Sequence, residues 1–103
     1  MGLFNFSQSI STEELKQKTK DSIQLVDVRT PAEYRGGHIK QAKNVPLDRV
    51  TSYRGNKEEP VYVICQSGMR SKQATKELKA LGYDAINVRG GMNQWVGPTI
   101  GGK

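Results

Sequence analysis

Cys65 is the one cysteine of the chain, and it stands where an apolar run, Val61-Tyr62-Val63-Ile64, gives way to Gln66-Ser67-Gly68-Met69-Arg70-Ser71. A thiol at the C-terminal tip of a buried strand, followed by a glycine-containing turn and a helix start, faces inward-pointing amides and the positive end of a helix dipole. Both lower a thiol pKa and make the sulfur a nucleophile at neutral pH. The competing reading is a small core residue, because free cysteine is among the most buried residue types. The turn that follows favours the reactive reading. Arg70 adds a cation five residues on. It is read as steadying an anion or holding the turn, against a solvated arginine that merely opens a helix. Ser71 suits a helix cap and could also donate to the sulfur. Lys72 is read as a solvent-facing lysine.

Other candidates follow an earlier apolar segment. Asp27 could orient the cysteine turn and Arg29 could touch an anionic substrate. The alternative, which the pattern favours, is a structural network with Arg29 paired to Glu33. His38 is the sole histidine, and histidine is the usual base for a nucleophilic cysteine. A thiolate stabilised by amides needs no base, so a loop-anchoring histidine is preferred. One cysteine and one histidine cannot build a zinc site, and no cofactor is implied.

The elements that would position these residues alternate between strand and helix. Residues 11–18 read as a short helix opened by a capping box, Ser11 with Glu14. Residues 23–28 read as a strand. Thr30 and Pro31 are suited to cap and start a second helix, which Gly36-Gly37 would end. Residues 42–45 suit a short strand and 46–53 a short helix. Residues 61–65, β-branched and aromatic, form the clearest strand. A helix over 71–81 follows, with Ala74, Leu78 and Leu81 on one face and Gly82 closing it. Residues 84–88 give a last strand, then Gly90-Gly91 leads into a short helix carrying Trp95, a core anchor. Such alternation predicts an α/β domain with a parallel sheet. Ligands in such sheets sit beyond the C-terminal strand ends, near Asp27, Cys65 and Arg89.

Length and composition agree with a single domain over residues 1–103. The chain has 103 residues, 35% hydrophobic and 25% charged, enough for one core. No apolar stretch is long enough to span a bilayer. The first residues lack the basic and apolar regions of a signal peptide, and Gly2 lacks the following hydroxyl residue of a myristoylation motif. A lone cysteine agrees with a reducing, cytoplasmic setting. The net charge of +6 is spread along helical faces. It comes without zinc-finger spacing or RNA-binding aromatics, so no nucleic-acid partner and no membrane is expected, and the field would attract small anions.

The run from Cys65 to Ser71 resembles the active-site loop of the rhodanese family of sulfurtransferases. Asp27-Val28-Arg29 with Glu33-Tyr34 resembles the family's first signature, and Gly37-His38-Ile39 with Asn44-Val45-Pro46 its second. Gly90-Gly91-Met92 with Trp95 resembles its C-terminal signature. The resemblance spans residues 11–97. It implies a three-layer α/β/α domain with a central, mainly parallel sheet of about five strands. It also implies that Cys65 accepts sulfane sulfur from a small anionic donor such as thiosulfate, forming a persulfide. The sulfur then passes to cyanide, a thiol or a sulfur-accepting protein. Gln66, Ser67, Gly68, Met69, Arg70 and Ser71 would supply the cradle, mainly through their amides, while Asp27, Arg29, Glu33 and a mainly structural His38 would support it. A carrier or redox-sensing module with little small-molecule turnover is the alternative. Cysteine phosphatases and arsenate reductases, whose loops place arginine one residue further from the cysteine, are the least favoured reading.

Overall fold

The computed structural model describes residues 9–103. The sequence readings of a leader and of Gly2 fall on residues 1–8, outside the described residues. In chain order the elements are β1 (Ser9–Ile10), α1 (Thr12–Lys18), β2 (Gln24–Asp27), α2 (Pro31–Arg35), β3 (Ala42–Asn44), a 3-10 helix (Leu47–Ser52), β4 (Val61–Ile64), α3 (Met69–Ala80), β5 (Ala85–Val88) and a second 3-10 helix (Gly91–Gln94). The expected capping box forms on α1, Ser11 with Glu14, and the expected Thr30 cap on α2 proves to be a second capping box, completed by Glu33. Each cap contributes about 1 kcal/mol to a helix too short to persist alone.

The strands form one sheet in the order β1-β5-β4-β2-β3, and every pairing is parallel. All four residues of β4 are buried, as its uninterrupted apolar sequence requires for a central strand. Two cores lie on opposite faces. Val26, Val61, Val63, Ala74 and Leu78 join the sheet to α3, and Val50 brings in the first 3-10 helix. Leu25, Tyr62 and Ile64 pack with Leu15 of α1 and Tyr34 of α2, with Trp95 partly buried at the margin. This is the expected three-layer α/β/α arrangement.

The differences from expectation are local. β1, two residues long, is too short to show a period-2 pattern, and it forms because the edge of β5 is open to it. Trp95 follows the last 3-10 helix instead of lying within it, and its indole N–H donates to the Pro98 carbonyl at 3.2 Å. α3 starts at Met69, two residues before the expected Ser71.

Register positions the site. Asp27 pairs with Ile64, and Val63 pairs with Asn87, so the C-terminal ends of β2, β4 and β5 lie side by side. The helices after β2 and β4 pack on opposite faces. The strand ends between them form the side of an open α/β sheet on which ligands bind.

Candidate active site

Alternation along β4 decides where the thiol points. Val61 and Val63 belong to the α3 face, and Cys65, the next residue of the same parity, joins them with no exposed surface. The chain then turns at Gly68, whose φ of 104° lies in the left-handed region. A Cβ there would also approach the Gly90 amide nitrogen to 3.2 Å. The turn aims two amides at the sulfur. Cys65 Sγ accepts the Gly68 N–H at 3.1 Å and the Ser71 N–H at 3.2 Å. The Ser71 hydroxyl lies 3.3 Å from Sγ and also bonds Asn87 on β5. Burial pushes the thiol pKa up, but the Ser71 hydroxyl and the amides of Ser71, Gly68 and Ser67 outweigh it, and the net shift is downward.

Ser71 is not the helix cap. Gly68 holds that position without a side-chain bond, and Ser71 is the third helical residue, its hydroxyl turned inward to the sulfur. Only two strand tips brought together by the sheet could hold Ser71 between Cys65 and Asn87.

The charged residues pair differently from the sequence expectation. Arg29 does not bind Glu33. Its guanidinium bonds the Asp27 carboxylate at 2.9 to 3.2 Å, because residues of the same parity at the end of β2 lie on one side. Arg29 is 4% exposed and Asp27 fully buried. Arg29 also donates to Gln66 Oε1 at 3.1 Å and to the Gly37 carbonyl at 2.9 Å, tying three segments together. Glu33 instead receives both Arg70 amino groups, at 2.8 and 3.0 Å. The Arg70 hydrogen bonds hold the Glu33 carboxyl down to about 2. Arg70 thus keeps its cation at the rim of the loop, committed to a carboxylate.

Gln66, expected to act mainly through its amide, uses its side chain as a bridge: Oε1 takes Arg29 and Nε2 donates to Asn93 Oδ1 at 2.7 Å. Met69 is 73% exposed at the start of α3. His38 is buried away from bulk solvent, its Nδ1 2.7 Å from the Tyr34 carbonyl and its ring stacked on Tyr34 at 3.6 Å. Its backbone pairs with Ile100, so it anchors the C-terminal strap to α2.

Four residues of this arrangement were not among the site residues read from the sequence. Asn87 positions Ser71, and its signal was a polar residue inside an otherwise buried strand. The Met92 and Asn93 amides bond the carbonyls of Cys65 and Gln66 at 2.8 and 2.9 Å. Gly91 permits that clamp, since a Cβ there would lie 2.3 Å from the Cys65 carbonyl oxygen. The glycine pair was visible in the sequence; its seat against the cysteine was not.

Comparison with known proteins agrees with this architecture. The model of the rhodanese-like domain family matches residues 11–98. The chain is 35% identical over 96 residues to the putative sulfurtransferase YtwF of Bacillus subtilis, covering 89% of this chain and 93% of that protein. It is 38% identical over 95 residues to the putative sulfur carrier protein YrkF of the same organism, covering 87% of this chain but only 51% of YrkF. The crystal structure of a rhodanese-like domain protein from Staphylococcus aureus superposes with a TM-score of 0.78 at 43% identity, covering 88% of this chain and 92% of the other. With the family's domain matched over residues 11–98 and its fold shared by a solved relative over most of both chains, the chain belongs to the rhodanese family.

Proposed function

We propose that the protein is a sulfurtransferase that carries sulfane sulfur as a persulfide on Cys65. The observation that carries this reading is the cradle: a fully buried Sγ accepting amides from both sides of one short loop. In the first step the Cys65 thiolate attacks the outer sulfur of thiosulfate or of a low-molecular-weight persulfide. The new S–S bond forms as the old bond breaks, and sulfite or a thiolate leaves with the electron pair. In the second step cyanide or an acceptor thiolate attacks the outer sulfur, and Cys65 departs as thiolate. Splitting the transfer in two is what a covalent intermediate achieves.

The terminal sulfur of the persulfide is anionic. The amides of Met69 and Arg70 open α3, where first-turn N–H groups have no intrahelical acceptor, and in this reading they would receive that charge. Asp27, Arg29 and Gln66 act as positioning residues that hold the loop against α2. A tetrahedral oxyanion is a poorer occupant, because the loop is closed around one sulfur atom and Arg70 is engaged by Glu33.

Incubation with thiosulfate should add the mass of one sulfur atom at Cys65, and cyanide should remove it as thiocyanate. Cys65→Ser should take up none. Failure to load from thiosulfate and from every small persulfide would sink the proposal. A second reading, delivery of sulfur to a protein with little small-molecule turnover, is favoured by the likeness to a putative sulfur carrier. It predicts loading followed by slow transfer to cyanide and fast transfer to a protein thiol.

A further inference from the structure

A groove of about 650 Å³ runs along the β5 side of α3, from Ser67 and Met69 of the Cys65 loop toward the last turn of the helix. Lys72, Lys76 and Lys79 line it from α3, and Arg89 lines it from the end of β5. Spacing of four and three residues puts the lysines on one stripe about 10 Å long, at 1.5 Å rise per residue. Among the described residues, no aspartate or glutamate lines the groove. Glu77, to which Gln73 donates, lies on the adjoining flank of α3, where it shares a shallow hollow with Met69, Lys72 and Lys76 but does not line the groove itself. Arg89 donates to Ser9 and is felt by Glu14, so the lysine stripe holds most of the unbalanced charge.

We propose that this groove docks an acidic segment of a partner protein and so presents that protein's thiol or persulfide to the Cys65 loop. The inference rests on the reading of Cys65 as a sulfur carrier and names the class of its partner. Cys65 has no exposed surface, so a reacting sulfur must be guided to the rim of its loop. A charged track that begins at the loop and leads away from it provides such guidance without occupying the cradle. Charge complementarity of this kind sets orientation and on-rate. Met69, 73% exposed where the track meets the loop, supplies an adaptable apolar contact. Single-stranded nucleic acid fits less well, since among the described residues no aromatic side chain lines the groove to stack a base. In transfer outward, the partner's thiolate attacks the terminal sulfur, the Cys65 S–S bond breaks, and Cys65 leaves as thiolate with the electron pair.

The test uses a fluorescein-labelled oligoglutamate peptide, an oligoserine peptide of equal length and an oligouridylate of equal charge. Fluorescence anisotropy at low ionic strength should show the glutamate peptide bound by the wild type. Binding should be weakened about tenfold or more in the combined Lys72→Gln, Lys76→Gln, Lys79→Gln variant, with the oligoserine unbound. Unchanged alkylation of Cys65 by neutral iodoacetamide checks that the variant keeps its fold and loop. With sulfur-loaded protein, a glutamate peptide ending in cysteine should accept sulfur faster than its serine counterpart, and the variant should lose that advantage. Equal peptide binding by wild type and variant, equal transfer to both peptides, or tighter binding of oligouridylate would each overturn the proposal. Inability to load Cys65 would overturn the sulfur-carrier reading instead, and the binding measurement would still decide whether the groove takes an acidic segment.

Discussion

The Cys65 thiol pKa is lowered by dipoles more than by a neighbouring charge. The nearest loop cation, Arg70, is neutralised by Glu33, while Sγ itself receives the amides of Gly68 and Ser71. Hydrogen bonds to a charged group are worth about 1.5–3 kcal/mol each, enough for a few of them to overcome the burial that opposes ionisation. With its pKa lowered, Cys65 has a larger thiolate fraction than a free thiol at any pH below the free thiol's value of about 8.5. Iodoacetamide should therefore alkylate it at pH 6 well above the rate of free cysteine. Ser71→Ala removes the hydroxyl that bridges Sγ and Asn87 Oδ1 and that lowers the thiol pKa, and should cut that rate about tenfold, with the acid limb of the rate profile moving to higher pH. Wild-type alkylation at the free-cysteine rate would show that the cradle does not stabilise the anion.

At the scale of elements, Glu33 joins α2 to the start of α3 while also completing the cap on α2. Glu33→Gln keeps an acceptor for the Thr30 amide but removes the charge facing Arg70. If the carboxylate competes with a donor for that guanidinium, the KM for thiosulfate should fall several-fold in the variant, with loading from an uncharged persulfide donor unaltered. A rise in KM would mean instead that Glu33 holds Arg70 in its working position. Stability changes should be small, because both side chains are about one-third exposed and such pairs are worth about 0–1 kcal/mol. The sign follows from a carboxyl depressed from 4.5 to about 2: its contribution is complete above the unfolded value and is lost as pH falls toward 2. The gap in urea midpoint between wild type and variant should thus be present at pH 6 and close on acidification. Asp27 and Arg29 differ in kind. They are buried, and removing one partner of such a pair costs about 3–5 kcal/mol.

For the whole molecule, a net charge of +6 raises the local concentration of anions around the loop. Screening shortens the reach of that field from about 30 Å at 0.01 M salt to about 8 Å at 0.15 M. The second-order rate of sulfur uptake from thiosulfate should accordingly fall several-fold across that range. Alkylation by neutral iodoacetamide should stay constant, and an equal salt effect on both would place its origin in the loop. Among the described residues no helix is long and apolar enough to cross a membrane.

All the elements but β1 were legible in the sequence, because their information is local: apolar runs for β2 and β4, a capping box for α1, a threonine cap and proline start for α2, and a glycine turn before α3. It also picked out Cys65 and its loop, since a strand tip, a glycine and a helix start occur within seven consecutive residues. The partnerships were decided only by tertiary structure. Arg29 and Glu33, close in sequence and expected to pair, are separated by parity at the end of β2 and the turn into α2. Each then bonds a residue of the Cys65 loop 37 positions away, Gln66 and Arg70 respectively. Asn87 reaches Ser71, and Gly91 seats on the Cys65 carbonyl, because the parallel register aligns the ends of β4 and β5. Local periodicity carries no record of that alignment. It arises when both faces of the sheet are buried at once, and it turns a thiol on a strand tip into one enclosed by donors.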